Sequence, residues 1–539
     1  MRTADTVFLN GEVIAVDADD NIEEALAVAG DKILAVGTDE EIRGFVGDST
    51  RVVDLDGRTL LPGIIDAHMH LLVYGTNRLG VDCKQPHVET LEDIFDELRK
   101  KCEATKPGEW VRASGFNNTT IAEGRYPTRE ELDAVSTEHP ILLVRTCGHI
   151  SAANSLALEQ AGVDRDTKDP EGGRIGRDEN GEPNGLLVEA AHMSAFETAS
   201  FTEAEYREAL RIASKDLLAA GITSIHDAGG YGPHNLRTMK QAVADGDVRL
   251  RVYAIVCSLN DSEKTVGKAI EAGMVTGLGD ERFRIGPAKV FTDGSSSGPT
   301  VATREPYTSD PGDHGILYYD QGRLDAILGE AHDLGFQITA HAQGDRAVEM
   351  MVNCIEASLK RTPRDDHRHR IEHSGITPPD LLERIRDLGI IPIPNPAFVH
   401  EFGDGYLRDY GERVNNMFPA RDFLDAGVMA AGGSDSPVTD YDPLLGIHCA
   451  VNRRSSSGAE VGANQRVGLL EAIRMFTYNG AYASFEEDIK GSLEPGKLAD
   501  LALLSEPILS TPPEKIKDIR VDETFVGGEE AFSRHAARA

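Results

Sequence analysis

The segment from Gly63 to His70, GIIDAHMH, joins an apolar run to two histidines that lie two positions apart. Residues i and i+2 of a strand point to the same side, so the imidazoles of His68 and His70 converge on one point. Such pairs also occur at surfaces and in cores, so the pair alone does not establish a metal site. The pair is informative because it lies at the end of an apolar strand.

Seven more apolar runs follow along the chain, and stretches with helical periodicity separate them. The predicted strands are residues 63–68, 222–226, 250–256, 284–291, 337–341, 369–373, 390–393 and 428–432. Strands that alternate with helices indicate βα units around a parallel sheet. Eight of them predict an α/β fold with a (β/α)8 TIM-like barrel, whose chemistry lies at the C-terminal ends of the strands.

The flanking regions have a different pattern. Residues 1–61 contain short strand-like runs, and Asn10-Gly11 predicts a hairpin turn between two of them. Residues 486–539 return to turns and strands, and we expect them to pair with the first β unit. Residues 62–485 would form the barrel. Within it, the stretch at about 76–200 is too long for one helix and predicts an inserted subdomain above the barrel mouth.

The charge balance excludes some classes of partner. The chain has 539 residues, with 90 acidic against 55 basic side chains and a net charge of −35. A field of this sign repels phosphate backbones and anionic lipid, so we expect neither nucleic acid nor membrane as a partner. The N-terminus has no signal-like apolar region, and the six cysteines are scattered. We therefore expect a cytoplasmic protein in a reducing compartment.

The composition also predicts dependence on salt. Only 16 of the 55 basic residues are lysines, and the acidic residues are dispersed, as in halophilic proteins. Raising the ionic strength from about 0.1 M to about 1 M shortens the Debye length from ~10 Å to ~3 Å and screens the repulsion among carboxylates. We expect the melting temperature to rise across this range. An unchanged melting temperature in differential scanning calorimetry would contradict a halophilic origin.

Several predicted strands end in a residue that could carry chemistry. His226, His341 and His373 each close an apolar run, as His68 does. Each could instead be a core histidine bonded to a neighbour. Imidazole is the commonest ligand of zinc and similar ions, and the end of a barrel strand is where such a ligand would be exposed.

Asp435 and Lys289 are the remaining candidates. Asp435 follows two glycines after the last predicted strand, where aspartate is often only a turn residue; as a site residue it would bind metal and accept a proton. Lys289 lies inside an apolar strand, where burial disfavours an ammonium. Its side chain could reach solvent or pair with Asp293. The alternative is a neutral amine that is carbamylated by carbon dioxide.

Motifs along nearly the whole chain resemble one family. They are residues 59–70 (TLLPGIIDAHMH), 289–295 (KVFTDGS), 341–345 (HAQGD), 370–373 (RIEH) and 493–500 (LEPGKLAD). With them, the chain resembles the metal-dependent amidohydrolase superfamily, in its amidohydrolase-3 branch of YtcJ-like proteins and N-substituted formamide deformylases. This resemblance implies a barrel with a composite β-sandwich built from both termini.

The resemblance also implies a site and a reaction. His68 and His70 would bind one divalent metal, His341 and His373 a second, carbamylated Lys289 would bridge them, and Asp435 would be a ligand and the general base. Zinc is the first choice, with one or two ions per chain. The reaction would be hydrolysis of a non-peptide carbon–nitrogen bond, such as an N-formyl or N-acyl amide, through a metal-bound hydroxide.

Two alternatives to an amide hydrolase stay open. A deaminase on the same barrel is disfavoured, because the segment after His341 has Asp345 where deaminases have glutamate. A catalytically silent regulator would have lost metal ligands, and none is missing.

Pro299 stands where relatives typically have arginine, which leaves the small-molecule substrate undetermined. A homodimer is compatible with the sequence. The candidates for lining the substrate pocket are Trp110, Phe116, His149 and Tyr307.

Overall fold

The computed structural model describes residues 3–84, 87–146, 150–170 and 172–535. The chain falls into two units, Met1–Leu71 with Ser214–Ala539, and Leu72–Ala213. The second unit is inserted directly after the first barrel strand, and it is somewhat longer than the predicted insertion.

A parallel sheet of seven strands forms the centre of the larger unit. In order, the strands are Ile64–Met69, Ile222–Asp227, Arg251–Val256, Phe283–Phe291, Ile338–Ala342, Arg370–His373 and Ile391–Ile393. Each strand pairs in parallel with the next one along the chain. The predicted TIM-like barrel is therefore confirmed, and its first seven strands lie where the apolar runs indicated.

Residues 431–435 occupy the place of the eighth strand. The amides of Ala431 and Gly433 each donate at 3.1 Å to carbonyls on or just beyond the seventh strand, and the amide of Asp435 donates to the carbonyl of His68 at 2.7 Å. The segment thus joins the last strand to the first. The prediction of a regular strand at 428–432 is wrong, because the amides of Val428 and Gly432 donate to the carbonyls of Phe423 and Met475 instead of to a neighbouring barrel strand.

Helices follow the barrel strands as expected of βα units. Pro379–Leu388 shows the local signals well, with proline in its first turn and Gly389 in the left-handed conformation at its end. The helices of this unit are Asp39–Arg43, Pro233–Ala244, Ser262–Glu271, Gln321–Asp333, Asp345–Arg361, Pro379–Leu388, Ala397–Tyr410, Ala420–Asp425, Pro443–Asn452, Leu469–Met475 and Tyr478–Ala483, with 3₁₀ turns at Gly411–Asn416, Ala463–Gln465 and Pro513–Asp518. The helix Glu203–Ala219 leads into the second barrel strand.

Two sheets from both chain ends form the composite β-sandwich. One contains, in order, Lys32–Gly37, Ala25–Ala29, Thr6–Leu9 and Arg51–Asp54; the other contains Glu529–Ser533, Val521–Val526, Leu501–Leu504, Thr59–Pro62, Glu12–Ile14 and Ile22–Glu23. Their apolar faces share one core, in which the rings of Phe8 and Phe525 lie 5.2 Å apart.

The hairpin predicted at Asn10-Gly11 is absent from the described β-sandwich. The strand Thr6–Leu9 pairs with Ala25–Ala29 and Arg51–Asp54, whereas Glu12–Ile14 belongs to the other sheet. Asn10 does adopt the left-handed conformation, with φ 61°. The turn is therefore real, but it carries the chain from one sheet to the other.

The inserted unit has its own sheet and core. Its strands are, in order, Gly173–Arg177, Pro183–Glu189, Ile150–Ala153, Ile141–Arg145, Val111–Phe116 and Val81–Asp82. Its helices are Leu71–Leu79, Leu91–Ala104, Arg129–Val135, Ser155–Gln160 and Ala190–Thr198. Across the described residues, no helix has both the length and the apolar character needed to cross a membrane.

Three histidines form a hydrogen-bonded group near the N-terminal ends of the barrel strands. Nδ1 of His332 lies 2.8 Å from Nε2 of His369, whose Nδ1 accepts the amide of Ile338 at 3.1 Å. Nε2 of His332 and Nε2 of His367 each lie 2.8 Å from a backbone carbonyl. Carbonyl oxygens only accept, so this arrangement is satisfied by neutral rings. Burial lowers the pKa of all three histidines.

This group predicts that acid destabilises the protein. In the unfolded chain the histidines have pKa values of about 6.5 and take up protons that the folded group resists, so stability is constant above that pH and falls below it. The charges nearest the group are Asp333, Arg361, Arg364 and Asp366. We expect the free energy of unfolding of the metal-free protein to fall between about pH 7 and about pH 5, by up to about 1.4 kcal/mol per histidine and pH unit.

Urea unfolding at several pH values would measure this slope. Replacing His332 with asparagine is expected to make the slope shallower, whereas replacing the exposed His87 with glutamine is expected to leave it unchanged. Equal slopes for all three proteins would show that the buried group does not cause the acid sensitivity.

Candidate metal centre

The six predicted metal ligands meet at the C-terminal ends of the barrel strands. They come from the first strand and its end (His68, His70), the fourth (Lys289), the fifth (His341), the sixth (His373) and the closing segment (Asp435). Nε2 of His68 and Nε2 of His70 lie 3.3 Å and 3.4 Å from Oδ1 of Asp435. The rings of His68 and His373 are 4.8 Å apart, and those of His341 and His373 are 4.6 Å apart.

Each imidazole is held through the nitrogen that faces away from this centre. Nδ1 of His70 lies 2.7 Å from the carbonyl oxygen of Gly229, and Nδ1 of His373 lies 2.6 Å from Oδ1 of Asn395. Nε2 of His341 lies 2.8 Å from the carbonyl oxygen of Gly294. These oxygens can only accept, so the contacting ring nitrogens carry the protons. The other nitrogen of each neutral ring therefore offers a lone pair.

The donor set fits a divalent cation. Nε2 of His68, Nε2 of His70 and the carboxylate of Asp435 lie within 4.8 Å of one another, and all three residues are buried. Lone pairs on both facing nitrogens would repel the carboxylate at this distance unless a proton or a metal cation lies between them. Imidazole nitrogen with carboxylate oxygen is a combination that zinc binds readily.

Asp435 is ionised in this environment. Burial alone would raise the pKa of its carboxyl group, but hydrogen bonds that His68 and His70 donate when they hold a proton outweigh that effect and keep the pKa well below its usual range. Burial lowers the pKa of His373 well below its usual value, and His341 beside it adds to this. A neutral imidazole next to a carboxylate is the state that metal binding requires.

The backbone at this edge of the barrel is strained. His373, Ser374 and Asp435 have φ values of 71°, 44° and 59°, a region that side chains other than glycine rarely adopt. Each such residue costs about 1–3 kcal/mol and persists where the surrounding structure enforces it. Strain that coincides with the predicted ligands supports a functional role for this edge.

Lys289 is fully buried in the fourth strand. Its Nζ lies 3.4 Å from Nε2 of His68 and 3.4 Å from the carbonyl oxygen of Ala228. Asp293, the alternative partner considered from the sequence, instead accepts the backbone amides of Ala302, Gln343 and Gly344 at 2.8–3.0 Å. The amine therefore faces the histidine cluster.

Our sequence-based prediction missed the residues that hold the ligands in place. Glu372 contacts Nδ1 of His68, Arg370 contacts Glu372, and Asn395 holds His373. Asp66 bonds to the amides of His68 and Ser434, and burial raises the pKa of Asp66 to about 6 despite those bonds. Charged residues inside apolar strands were a usable signal for Glu372 and Arg370.

The other candidates do not join the cluster. His226 is buried, and its Nδ1 accepts a hydrogen bond from Arg370 at 2.8 Å. Tyr307 is buried, and its hydroxyl donates to the carbonyl of Val301. In the inserted unit, Phe116 is fully buried in one apolar cluster and Trp110 packs against another. His149 lies outside the described residues.

A cavity adjoins the ligands within the barrel unit. Phe291, at the end of the fourth strand, has its ring 4.9 Å from Nζ of Lys289 and 5.5 Å from the ring of His341. The same residue lines a cavity of about 460 Å³, together with Leu259, Tyr318 and Tyr319. The other lining residues are polar or acidic: Asn260, Asp261, Ser262 and Glu263.

Comparisons with known proteins agree with this architecture. The sequence profile of the Amidohydrolase family matches residues 51–532. The N-substituted formamide deformylase of Arthrobacter pascens is 31% identical, over 98% of this chain and 98% of the relative. The putative amidohydrolase YtcJ of Bacillus subtilis (strain 168) is 30% identical, over 95% of this chain and 96% of the relative. The crystal structure of an uncharacterized metal-dependent hydrolase from Pyrococcus horikoshii OT3 is 25% identical, with a TM-score of 0.78 over 95% of this chain and 99% of that one.

Proposed function

The chain belongs to the Amidohydrolase family and is a hydrolase, and from that premise we propose that it cleaves a non-peptide carbon–nitrogen bond in a small amide. The observation that carries the proposal is the meeting of four imidazoles, Lys289 and Asp435 at the C-terminal ends of the strands. The family resemblance supplies the reaction class. The deformylase relative makes an N-formyl or N-acyl amide the first substrate to test.

His68, His70 and Asp435 would hold one divalent cation, and His341 and His373 a second, with Lys289 between them. A bound cation of this kind polarises a carbonyl and acidifies water. Zinc is the cation we propose, because nitrogen and carboxylate ligands suit it.

The protein's own groups carry the proton transfer in this proposal. Asp435 is an ionised carboxylate at the mouth of the barrel, so it can accept a proton from the attacking water and deliver it to the leaving nitrogen. The carbonyls of Gly229 and Gly294 and the side chains of Glu372 and Asn395 hold the four imidazole rings in place during this proton transfer. The cavity beside Phe291 has aromatic and polar side chains in its lining and would take the substituent of the amide.

A hydrolysis screen tests the proposal. The protein, at molar salt and with added zinc, is offered N-formyl and N-acyl amines of increasing substituent size, and the released amine is quantified. We expect amine release that a chelator abolishes. Ammonia released from aminopurines or aminopyrimidines, without amide cleavage, would instead identify a deaminase. A chain that binds metal but turns over none of these compounds would not support an amide hydrolase.

A further inference from the structure

Arg370 and Glu372 form a fully buried ion pair directly behind the predicted metal centre. Nε and Nη2 of Arg370 donate to the two carboxylate oxygens of Glu372, each at 2.9 Å. The hydroxyl of Thr339 donates to the same carboxylate at 2.8 Å. Neither charged side chain is exposed to solvent. The pair is therefore sealed inside the barrel.

The carboxylate of Glu372 also contacts a predicted metal ligand. Nδ1 of His68 is its partner, while Nε2 of the same ring faces Asp435. A carboxylate accepts, so Nδ1 holds the proton and Nε2 keeps its lone pair. Nη2 of Arg370 additionally donates to the carbonyl of Ala67 at 2.7 Å, which ties the guanidinium to the strand that carries His68.

Packing alone gives no reason for such a pair. Desolvating two charges costs several kcal/mol for each ion, and apolar residues of similar volume are often as stable or more so. An ionic group inside a barrel core is therefore better explained by what it does to its neighbour. Here that neighbour is His68.

We propose that Glu372 is a positioning residue, which fixes the ring and tautomer of His68 so that Nε2 is presented to a divalent cation, and that Arg370 holds Glu372 for this purpose. The inference rests on the proposed metal-dependent function. It adds that the metal affinity of the chain depends on a residue that does not touch the metal. Partners of this kind typically change metal affinity by about 10- to 100-fold.

The barrel offers a matched control in a second buried pair. Arg251 donates to both carboxylate oxygens of Asp500, at 2.7 Å and 3.0 Å, and both side chains are almost fully buried. Arg251 begins the third strand, at the end opposite the metal ligands. Damage to this pair should destabilise the fold to a similar degree without touching the metal centre.

The experiment compares Glu372→Gln with Asp500→Asn. Zinc dissociation constants are measured by competition with a chromophoric chelator, and melting temperatures are measured without metal. We expect both variants to melt below the wild type. Zinc binding is expected to weaken by about 10- to 100-fold in Glu372→Gln and to stay within about twofold in Asp500→Asn.

A double variant keeps the test interpretable if Glu372→Gln does not fold. Arg370→Met combined with Glu372→Gln removes both charges together, so no unpaired charge is left buried. It is expected to weaken zinc binding as the single variant does. Wild-type zinc affinity in folded Glu372→Gln, or in the folded double variant, would overturn the positioning role and leave the Arg370–Glu372 pair as purely structural. Failure of the wild type itself to bind zinc would instead count against the proposed metal-dependent function.

Discussion

An Asp435→Asn variant is expected to lose about 10³-fold in kcat/KM for an N-formyl amine. The substitution removes the carboxylate that faces both Nε2 of His68 and Nε2 of His70. Asparagine keeps the shape but cannot take up a proton. Steady-state kinetics with added zinc, at constant molar salt, would measure the loss.

The matched control for this variant is Asp440→Asn. Asp440 lies five residues further on and is exposed, so the same change of charge there should leave kcat/KM near the wild-type value. A melting temperature close to that of the wild type would show that the Asp435 variant is folded. Activity of Asp435→Asn within tenfold of the wild type would remove Asp435 from the proton transfer.

Lys289→Ala is the second substitution with a large expected effect. Nζ of Lys289 lies against Nε2 of His68 and points to the histidine cluster, as a bridging group would require. We propose that the amine reacts with carbon dioxide, forming a nitrogen–carbon bond and releasing one proton, and that the resulting carbamate supplies an anionic bridge between two cations. The alanine variant should lose activity by about 10²-fold or more, together with one or both metal ions.

Two further measurements distinguish a carbamate bridge at Lys289 from a role of its positive charge alone. Lys289→Arg should not restore activity, because guanidinium does not form the carbamate, whereas small carboxylic acids should partly rescue Lys289→Ala. Metal content by mass spectrometry accompanies each assay. A bare amine in a fully metallated, active crystal would contradict the bridge.

Much of the barrel could be predicted because buried parallel strands have a simple pattern. The apolar runs located each of the seven strands to within one residue at either end. The eighth run, 428–432, formed no strand because the amides of Val428 and Gly432 donate to Phe423 and Met475 and not to a neighbouring barrel strand. The turn at Asn10 was predicted, but a local turn signal does not say which sheet each flanking strand joins.

The ligands could be predicted from the sequence, whereas the contacts that hold them in place could not. His68, His70, His341, His373 and Asp435 follow apolar runs, so their meeting point is a consequence of barrel topology. The tautomer of each ring depends on contacts between distant strands, such as those of Glu372 and Asn395. Likewise, the sequence does not distinguish Phe291 from other core residues, and only the fold shows that its ring lies beside Lys289.

Diffraction at the zinc absorption edge, from crystals grown with zinc, would locate any zinc ions bound by the predicted ligands. We expect an anomalous peak bounded by Nε2 of His68, Nε2 of His70 and the carboxylate of Asp435, and a second peak toward His341 and His373. Zinc bound elsewhere, or no peak at these side chains in protein that hydrolyses amides, would contradict the proposed metal centre.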